Sequence, residues 1–290
     1  MKSIKVIIPS LATAALVALC GCSEKNVDPD ENSGLNETQN IQYSAQSALA
    51  ALKGFSDDTG STPAPASKVQ GKAICTGLAA FQPCVDGVRS ISYEGCQVPF
   101  SPATAVGFVE LKYNNNSCAP ASDLQITRNY DLKFTSVWGQ LELTSENRQD
   151  YLGQTIGGGG KLTVLDTNKY QIDILGQHRI YRGVLGREWV NFSVRTTQPV
   201  IVSGTYSSQN RQIESGEVVV SHNLLKAQAK YNVANIGYDN VCCYPISGQL
   251  QIDISGRVNR SGTINITGCG TATLTDSNGS VEELTFNSCD

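Results

Sequence analysis

The chain has 290 residues, of which 22 are lysine or arginine and 26 are aspartate or glutamate, giving a net charge of −4. This balance excludes the basic surface that nucleic-acid-binding proteins use, so we expect no nucleic-acid partner. The length suits one large domain or two small ones.

The N-terminus has the pattern of an export signal. Lys2 and Lys5 precede residues 6–19, a run of apolar or small residues interrupted by Pro9. A membrane-spanning helix needs about 20 apolar residues. A charged start followed by a shorter apolar run is typical of a bacterial signal peptide.

The end of this run resembles a known motif. Residues 19–22, LCGC, resemble the lipobox of bacterial lipoproteins, with Gly21 directly before Cys22 and Leu19 three positions before it. Cys20 fits the motif less well, because the residue before it is bulky. The alternative is that Cys20 and Cys22 are two apolar residues of an ordinary cleaved signal.

The lipobox resemblance implies a location. Residues 1–21 would be the lipoprotein signal peptide, and Cys22 would carry the fatty acyl chains that anchor the protein in a membrane. Several acyl chains give stable anchoring where one is marginal. By the same resemblance, Ser23 indicates the outer membrane of a Gram-negative bacterium, on its periplasmic face or the cell surface.

Eight cysteines follow Cys22, and in an exported protein an even number predicts disulfides. They form two groups of four: Cys75, Cys84, Cys96 and Cys118, then Cys242, Cys243, Cys269 and Cys289. The spacing allows three pairings in each group. A hairpin turn at 278–279 would bring Cys269 and Cys289 to the same end. Cys242 and Cys243 should have different partners, because adjacent strand residues point to opposite faces.

We expect no metal and no cofactor. Zinc sites use paired cysteines at short spacing with histidine, and this pattern is missing from the sequence. The glycines at 157–160 precede Lys161 but do not match a phosphate-binding loop, so they predict a bend before a strand.

One amphipathic helix is predicted, over roughly 38–53 within a segment 38–55. Its apolar residues recur at the spacing of one helix face: Ile41, Ala45, Ala48, Leu49, Leu52 and Phe55. We expect this helix to pack on the domain that follows. Residues 22–37 form an acidic polar tether before it, and 56–70 a Pro/Ser/Thr linker after it.

Residues 71–290 are predicted to form a β domain. Residues 71–122 are its Cys-rich, loop-heavy part, and 123–290 its main antiparallel sheet. Apolar and polar residues alternate with a period of two over 124–134, 170–174, 190–194, 227–233 and 250–254. Turn signals at 166–168, 176–177 and 255–256 separate these strands.

The fold class is therefore all-β: an antiparallel meander that forms a sandwich or a partly open barrel, stapled by disulfides, with one N-terminal helix. Residues 242–289 resemble Cys-rich β modules of uncharacterised secreted or lipid-anchored proteins of Gram-negative bacteria. The shared features are the opening CCYPISG, the later GCG and the last cysteine. This resemblance implies a β module and no particular chemistry.

The preferred function is non-catalytic, a binding or structural module of the cell envelope. Trp138, Tyr181 and Trp189 are the candidate contact residues, with a glycan or another envelope protein as ligand. A lipid or lipoprotein carrier with an open β-barrel groove is the alternative. An envelope hydrolase acting on glycans or peptidoglycan is the third candidate, although His178 and His222 are interpreted as structural because no G-x-S-x-G elbow is present.

Overall fold

A computed structural model describes residues 37–60, 79–97, 103–119, 121–204, 211–239, 242, 244–257 and 259–286. The predicted signal peptide, the lipidation candidate Cys22 and the predicted tether up to residue 36 lie outside these residues. So do Cys75, Cys243 and Cys289, and the side chain of Cys96. Residues 61–70 of the predicted linker lie outside them as well.

The described residues contain one helix, α1 (Glu37–Gly60), and sixteen strands. The strands are β1 (Ala79–Phe81), β2 (Val88–Gln97), β3 (Thr104–Tyr113), β4 (Gln125–Ser136), β5 (Gly139–Thr144), β6 (Arg148–Gln149), β7 (Thr155–Ile156), β8 (Gly159–Asp166), β9 (Lys169–Gly183), β10 (Glu188–Ser203), β11 (Arg211–His222), β12 (Ala227–Tyr238), β13 (Ser247–Gly256), β14 (Arg260–Gly268), β15 (Thr271–Asp276) and β16 (Val281–Thr285).

Fourteen of these strands form one sheet. Its order is β1-β2-β3-β4-β5-β9-β10-β11-β12-β13-β14-β15-β16, and β8 pairs with both β4 and β9. Every pairing is antiparallel. The short strands β6 and β7 form a separate hairpin. The predicted antiparallel meander is confirmed.

One hydrophobic core serves the whole sheet. It includes Ile91 on β2, Tyr130 on β4, Phe192 on β10, Tyr231 on β12 and Leu284 on β16. The helix α1 contacts β4 and β8 and is also hydrogen-bonded to Glu282 and Thr285 on the edge strand β16, so the sheet curls around it with the apolar face inward. This arrangement is compatible with a sandwich or a partly open barrel.

The inner face of the sheet is covered by α1. The predicted apolar stripe of the helix is buried at Ile41, Ala45, Ala48, Leu49 and Leu52, and Ala51 is buried beside it. The side chain of Phe55, the last residue of the predicted stripe, lies outside the described part of the structure. The helix contacts β4, β8, β9, β10, β11 and β12. At its start, Thr38 Oγ1 donates to Glu282 Oε2 at 2.5 Å, and one turn later Gln42 donates to the carbonyl oxygen of Thr285. Gln46 Nε2 then donates to Tyr244 Oη at 2.9 Å.

Several boundaries differ from the prediction. The helix does not stop near residue 54 but continues to Gly60, into the first residues of the predicted linker. The segment 71–122 is more regular than expected, because β2 and β3 are ten-residue strands of the main sheet. No turn interrupts β9 at Gly176. A Cβ at that position would overlap the carbonyl oxygen of Gly157, so this glycine permits close approach of two chain segments.

The sheet has two distinct ends. The β4–β5 and β9–β10 connections lie at one end, which we call the tip end. The antiparallel register from β10 to β16 places the β11–β12, β13–β14 and β15–β16 connections at the same end.

The opposite end, the disulfide end, contains the two described disulfides. Cys84–Cys118 ties the chain before β2 to the loop after β3, and Cys242–Cys269 ties the β12–β13 connection to the β14–β15 connection. Both bonds fall within the predicted groups of four. Cys269 is bonded to Cys242 and therefore not to Cys289, although the hairpin of β15 and β16 forms as predicted.

Candidate functional site

Two hairpin turns lie side by side at the tip end. The β4–β5 turn presents Val137 and Trp138, and the β9–β10 turn presents Val184 and Leu185. The turns are neighbours because β5 pairs with β9 from Gly139 opposite Gly183 onward. Their apolar side chains therefore form one surface.

We call this surface the aromatic tip. It consists of Val137, Trp138, Tyr181, Val184, Leu185 and Trp189. Leu185 is 97% exposed, Val184 72% and Val137 71%, whereas Trp138 is 48% and Trp189 39% exposed. The aliphatic side chains are the most exposed, and each tryptophan is about half covered. A cluster of exposed large apolar side chains is a feature of contact surfaces.

The aromatic side chains of the tip hold one another in place. The rings of Tyr181 and Trp189 are tilted at 54°, with their centroids 5.8 Å apart. Tyr181 Oη donates to the carbonyl oxygen of Trp138 at 3.4 Å, which links the two hairpins. A Cβ at Gly183 would lie 3.1 Å from the Trp189 ring, so the glycine makes room for the indole.

An ion-pair cluster supports the tip from below. Arg182 Nη1 lies 2.6 Å from Glu142 Oε2, and Arg182 Nη2 lies 3.0 Å from Glu188 Oε1. The hydrogen bond to Glu142, followed by that to Glu188, raises the pKa of Arg182, whose guanidinium remains charged. A guanidinium held by two carboxylates fixes the strands on which the tip is built.

A chain of polar contacts runs from this cluster into the protein. Glu188 Oε2 accepts from Asn191 Nδ2 at 2.9 Å, and Asn191 Oδ1 accepts from Asn223 Nδ2 at 2.8 Å. Asn223 Nδ2 also lies 3.3 Å from Ser193 Oγ, which is 2.9 Å from Nδ1 of His178. The polar face of the sheet is therefore hydrogen-bonded from the tip inward.

Both histidines are buried. His178 is 1% exposed. Burial, aided by the positive charge of Arg148, lowers the pKa of its imidazole to about 4. Burial likewise lowers the pKa of His222 to about 4, and the His222 ring meets Phe192 edge to face with centroids 4.5 Å apart. Ser193, the partner of His178, is also 1% exposed, so substrate cannot reach this Ser–His pair in the folded structure.

The structure brings together all three aromatic residues singled out from the sequence. Trp138, Tyr181 and Trp189 are up to 51 positions apart in the chain and converge because β5 pairs with β9. Sequence reasoning missed the outermost residues Val184 and Leu185. The signal for them was available: GVLG, at 183–186, places an apolar pair between two glycines, where a hairpin turn must expose it.

Over the part of the chain that the structure describes, no group of three or more histidine, cysteine, aspartate or glutamate residues is arranged to hold a metal ion. Within the same residues, no helix has the length and apolar character needed to cross a membrane. Comparison with protein-family models, with curated proteins and with solved structures finds no match to this chain. The fold and the tip define a disulfide-bonded, curled antiparallel sheet with an exposed apolar patch.

Proposed function

We propose that this protein is a lipid-anchored module of the bacterial outer membrane, attached through Cys22. Its role is binding or structural rather than catalytic, and the aromatic tip is its contact surface. The convergence of six apolar tip residues from two neighbouring hairpins supports this proposal most strongly. Exposing such a cluster to water is unfavourable, and a partner surface that covers it removes that cost.

The other two functions have less support. A hydrolase needs a reachable nucleophile and base, whereas Ser193 and His178 are buried together. A lipid carrier needs an open apolar groove, whereas α1 covers the inner face of the sheet with its own apolar stripe. Neither function makes use of the aromatic tip.

The anchor can be tested by metabolic labelling with a fatty acid. Cys22→Ala should abolish lipid labelling and membrane retention, because it removes the thiol that would be acylated. Cys20→Ala is the matched control and should keep both. Labelling that depends on Cys20 instead would contradict the assignment of the anchor.

The contact surface can be tested in intact cells with a photo-crosslinking side chain. Leu185→p-benzoylphenylalanine places the probe at the most exposed tip position, where it should form adducts with an envelope component. Val85 is 60% exposed and belongs to the disulfide end, so it is the control position. Equal adduct formation from both positions would argue against the tip as contact surface.

A further inference from the structure

We infer that the aromatic tip docks into the surface of the lipid bilayer that holds the anchor. The inference rests on the proposed function, because it assumes acylation of Cys22. It adds the identity of the surface that covers the tip.

The chain enters the fold at the tip end. Thr38, in the first turn of α1, is hydrogen-bonded to Glu282 at the start of β16. The start of β16 follows the β15–β16 connection, which the antiparallel register places at the tip end. The tether therefore leaves the domain from the same end that presents the apolar turns.

The tether is short. Fourteen residues, 23–36, separate Cys22 from Glu37. Fully extended, they reach at most about 50 Å, at about 3.5 Å per residue. An anchored domain is therefore confined close to the membrane. Because the tether leaves from the tip end, that end faces the membrane most readily.

The composition of the tip matches a bilayer interface. Val137, Val184 and Leu185 are highly exposed aliphatic side chains that would meet acyl chains, and the two half-covered tryptophans lie in and beside the same turns. Tryptophan concentrates at the headgroup level of membranes because its ring is apolar and its N–H is polar. The exposed Arg187, at the base of the β9–β10 turn, is placed to meet lipid phosphates.

This pattern of exposure favours lipid over a glycan. A sugar ring stacks on the open face of an aromatic side chain, whereas here the aliphatic side chains are the most exposed and both tryptophans are more than half covered. Interfacial binding to lipid scales instead with the apolar area that is buried, which the aliphatic turns supply.

The two tryptophans make the inference measurable. Trp138 and Trp189 are the only tryptophans of the chain, and both belong to the tip. The complete acylated protein is reconstituted in vesicles of phosphatidylethanolamine and phosphatidylglycerol, with or without brominated acyl chains. We expect a blue-shifted emission, strong quenching by the brominated lipid and protection from iodide.

Val184→Ser combined with Leu185→Ser should lose most of the quenching while still floating with the vesicles. Val281→Ser is the matched control, because Val281 is 62% exposed near the polar β15–β16 turn at the same end. It should behave like the wild type. Leu185→Ser alone, at a fully solvated turn position, should show a smaller loss and serves if the double variant folds poorly.

The outcomes separate the two proposals. Wild-type protein that floats with vesicles but keeps iodide-accessible tryptophans overturns docking and leaves the anchor standing. Tryptophans shielded by soluble peptidoglycan fragments but not by brominated lipid also overturn docking, since the occupant is then a glycan. Protein that is neither acylated nor retained by vesicles overturns the proposed function itself.

Discussion

At the scale of single residues, the buried imidazole of His178 predicts a pH-dependent stability. Its pKa is lowered from 6.5 to about 4 in the folded protein. At a pH between these two pKa values, His178 is protonated in the unfolded chain but not in the folded protein. The free energy of unfolding should therefore fall as pH drops from about 6.5 to about 4. The slope from one such histidine approaches about 1.4 kcal/mol per pH unit.

His178→Gln should flatten this dependence, measured by urea unfolding at several pH values. His222 has a pKa lowered to the same range, so adding His222→Gln should flatten it further. The carboxylates titrate alike in all three proteins and cancel in the comparison. Parallel profiles for wild type and His178→Gln over this window would contradict the burial argument.

Gly157, before β8, and Gly176, inside β9, approach each other closely but differ in what surrounds them. A Cβ at Gly176 would overlap the carbonyl oxygen of Gly157, whereas a Cβ at Gly157 would lie 3.8 Å from its nearest neighbours. Gly176→Ala should therefore destabilise the protein by about 1–3 kcal/mol, a typical cost of overpacking. Gly157→Ala is the control and should be close to neutral in a thermal melt. Similar melting temperatures for the two variants would show that the backbone relaxes freely there.

The three aromatic residues of the tip were identified as contact candidates from the sequence. The strand pairing that brings them together was not predicted. Trp138 and Tyr181 become neighbours only through the pairing of β5 with β9, a contact between distant parts of the chain. Periodicity reports which face a residue lies on, and says nothing about which strand lies beside it. The ion pairs of Arg182 were missed for the same reason.

At the scale of elements, α1 is an integral part of the core. Leu52 is 1% exposed, so Leu52→Ala should lower the free energy of unfolding by about 2–5 kcal/mol. Leu165→Ala is a control with the same chemistry at a position that is 47% exposed, and it should change stability by less than about 0.5 kcal/mol. Equal effects in chemical denaturation would mean that the helix is not anchored to the sheet.

Strands with one buried and one solvated face were predictable because apolar and polar residues alternate along them in the sequence. β12 is an example, with buried and half-exposed residues alternating from Ala227 to Val233. Glycine signals were less informative. Gly54 directly follows the predicted helix end at residue 53, and Gly176 belongs to a predicted turn, yet both lie inside elements. A glycine permits a turn, a helix end or a close approach of two chain segments, and tertiary packing determines which of these occurs.

At the scale of the whole molecule, the disulfides fasten one end of the sheet. Cys84–Cys118 and Cys242–Cys269 close loops with sequence separations of 34 and 27 residues. On the chain-entropy treatment each contributes about 4 kcal/mol. Reduction should therefore lower the melting temperature strongly, and the double variant Cys84→Ser, Cys118→Ser should reproduce part of the loss. An unchanged melting temperature under reductant would contradict this role.

The curled shape of the sheet could be predicted only as a choice between a sandwich and a partly open barrel. Most of the sheet order follows from hairpins between consecutive strands, which turn signals indicate, but the β5–β9 and β4–β8 pairings do not. The curl around α1 depends on the combined packing of side chains such as Tyr170, Phe192 and Tyr231, which are almost fully buried. No local pattern contains that information.

The connectivity of the two bonds has a consequence for biogenesis. In chain order Cys96 lies between Cys84 and Cys118, and Cys243 lies between Cys242 and Cys269. An oxidant that joins each thiol to the next one to emerge would therefore form wrong pairs in both halves. Reaching the observed bonds from such pairs requires thiol–disulfide exchange, which is slow without a catalyst. The maturation of this protein is thus expected to depend on a disulfide isomerase, in addition to an oxidase.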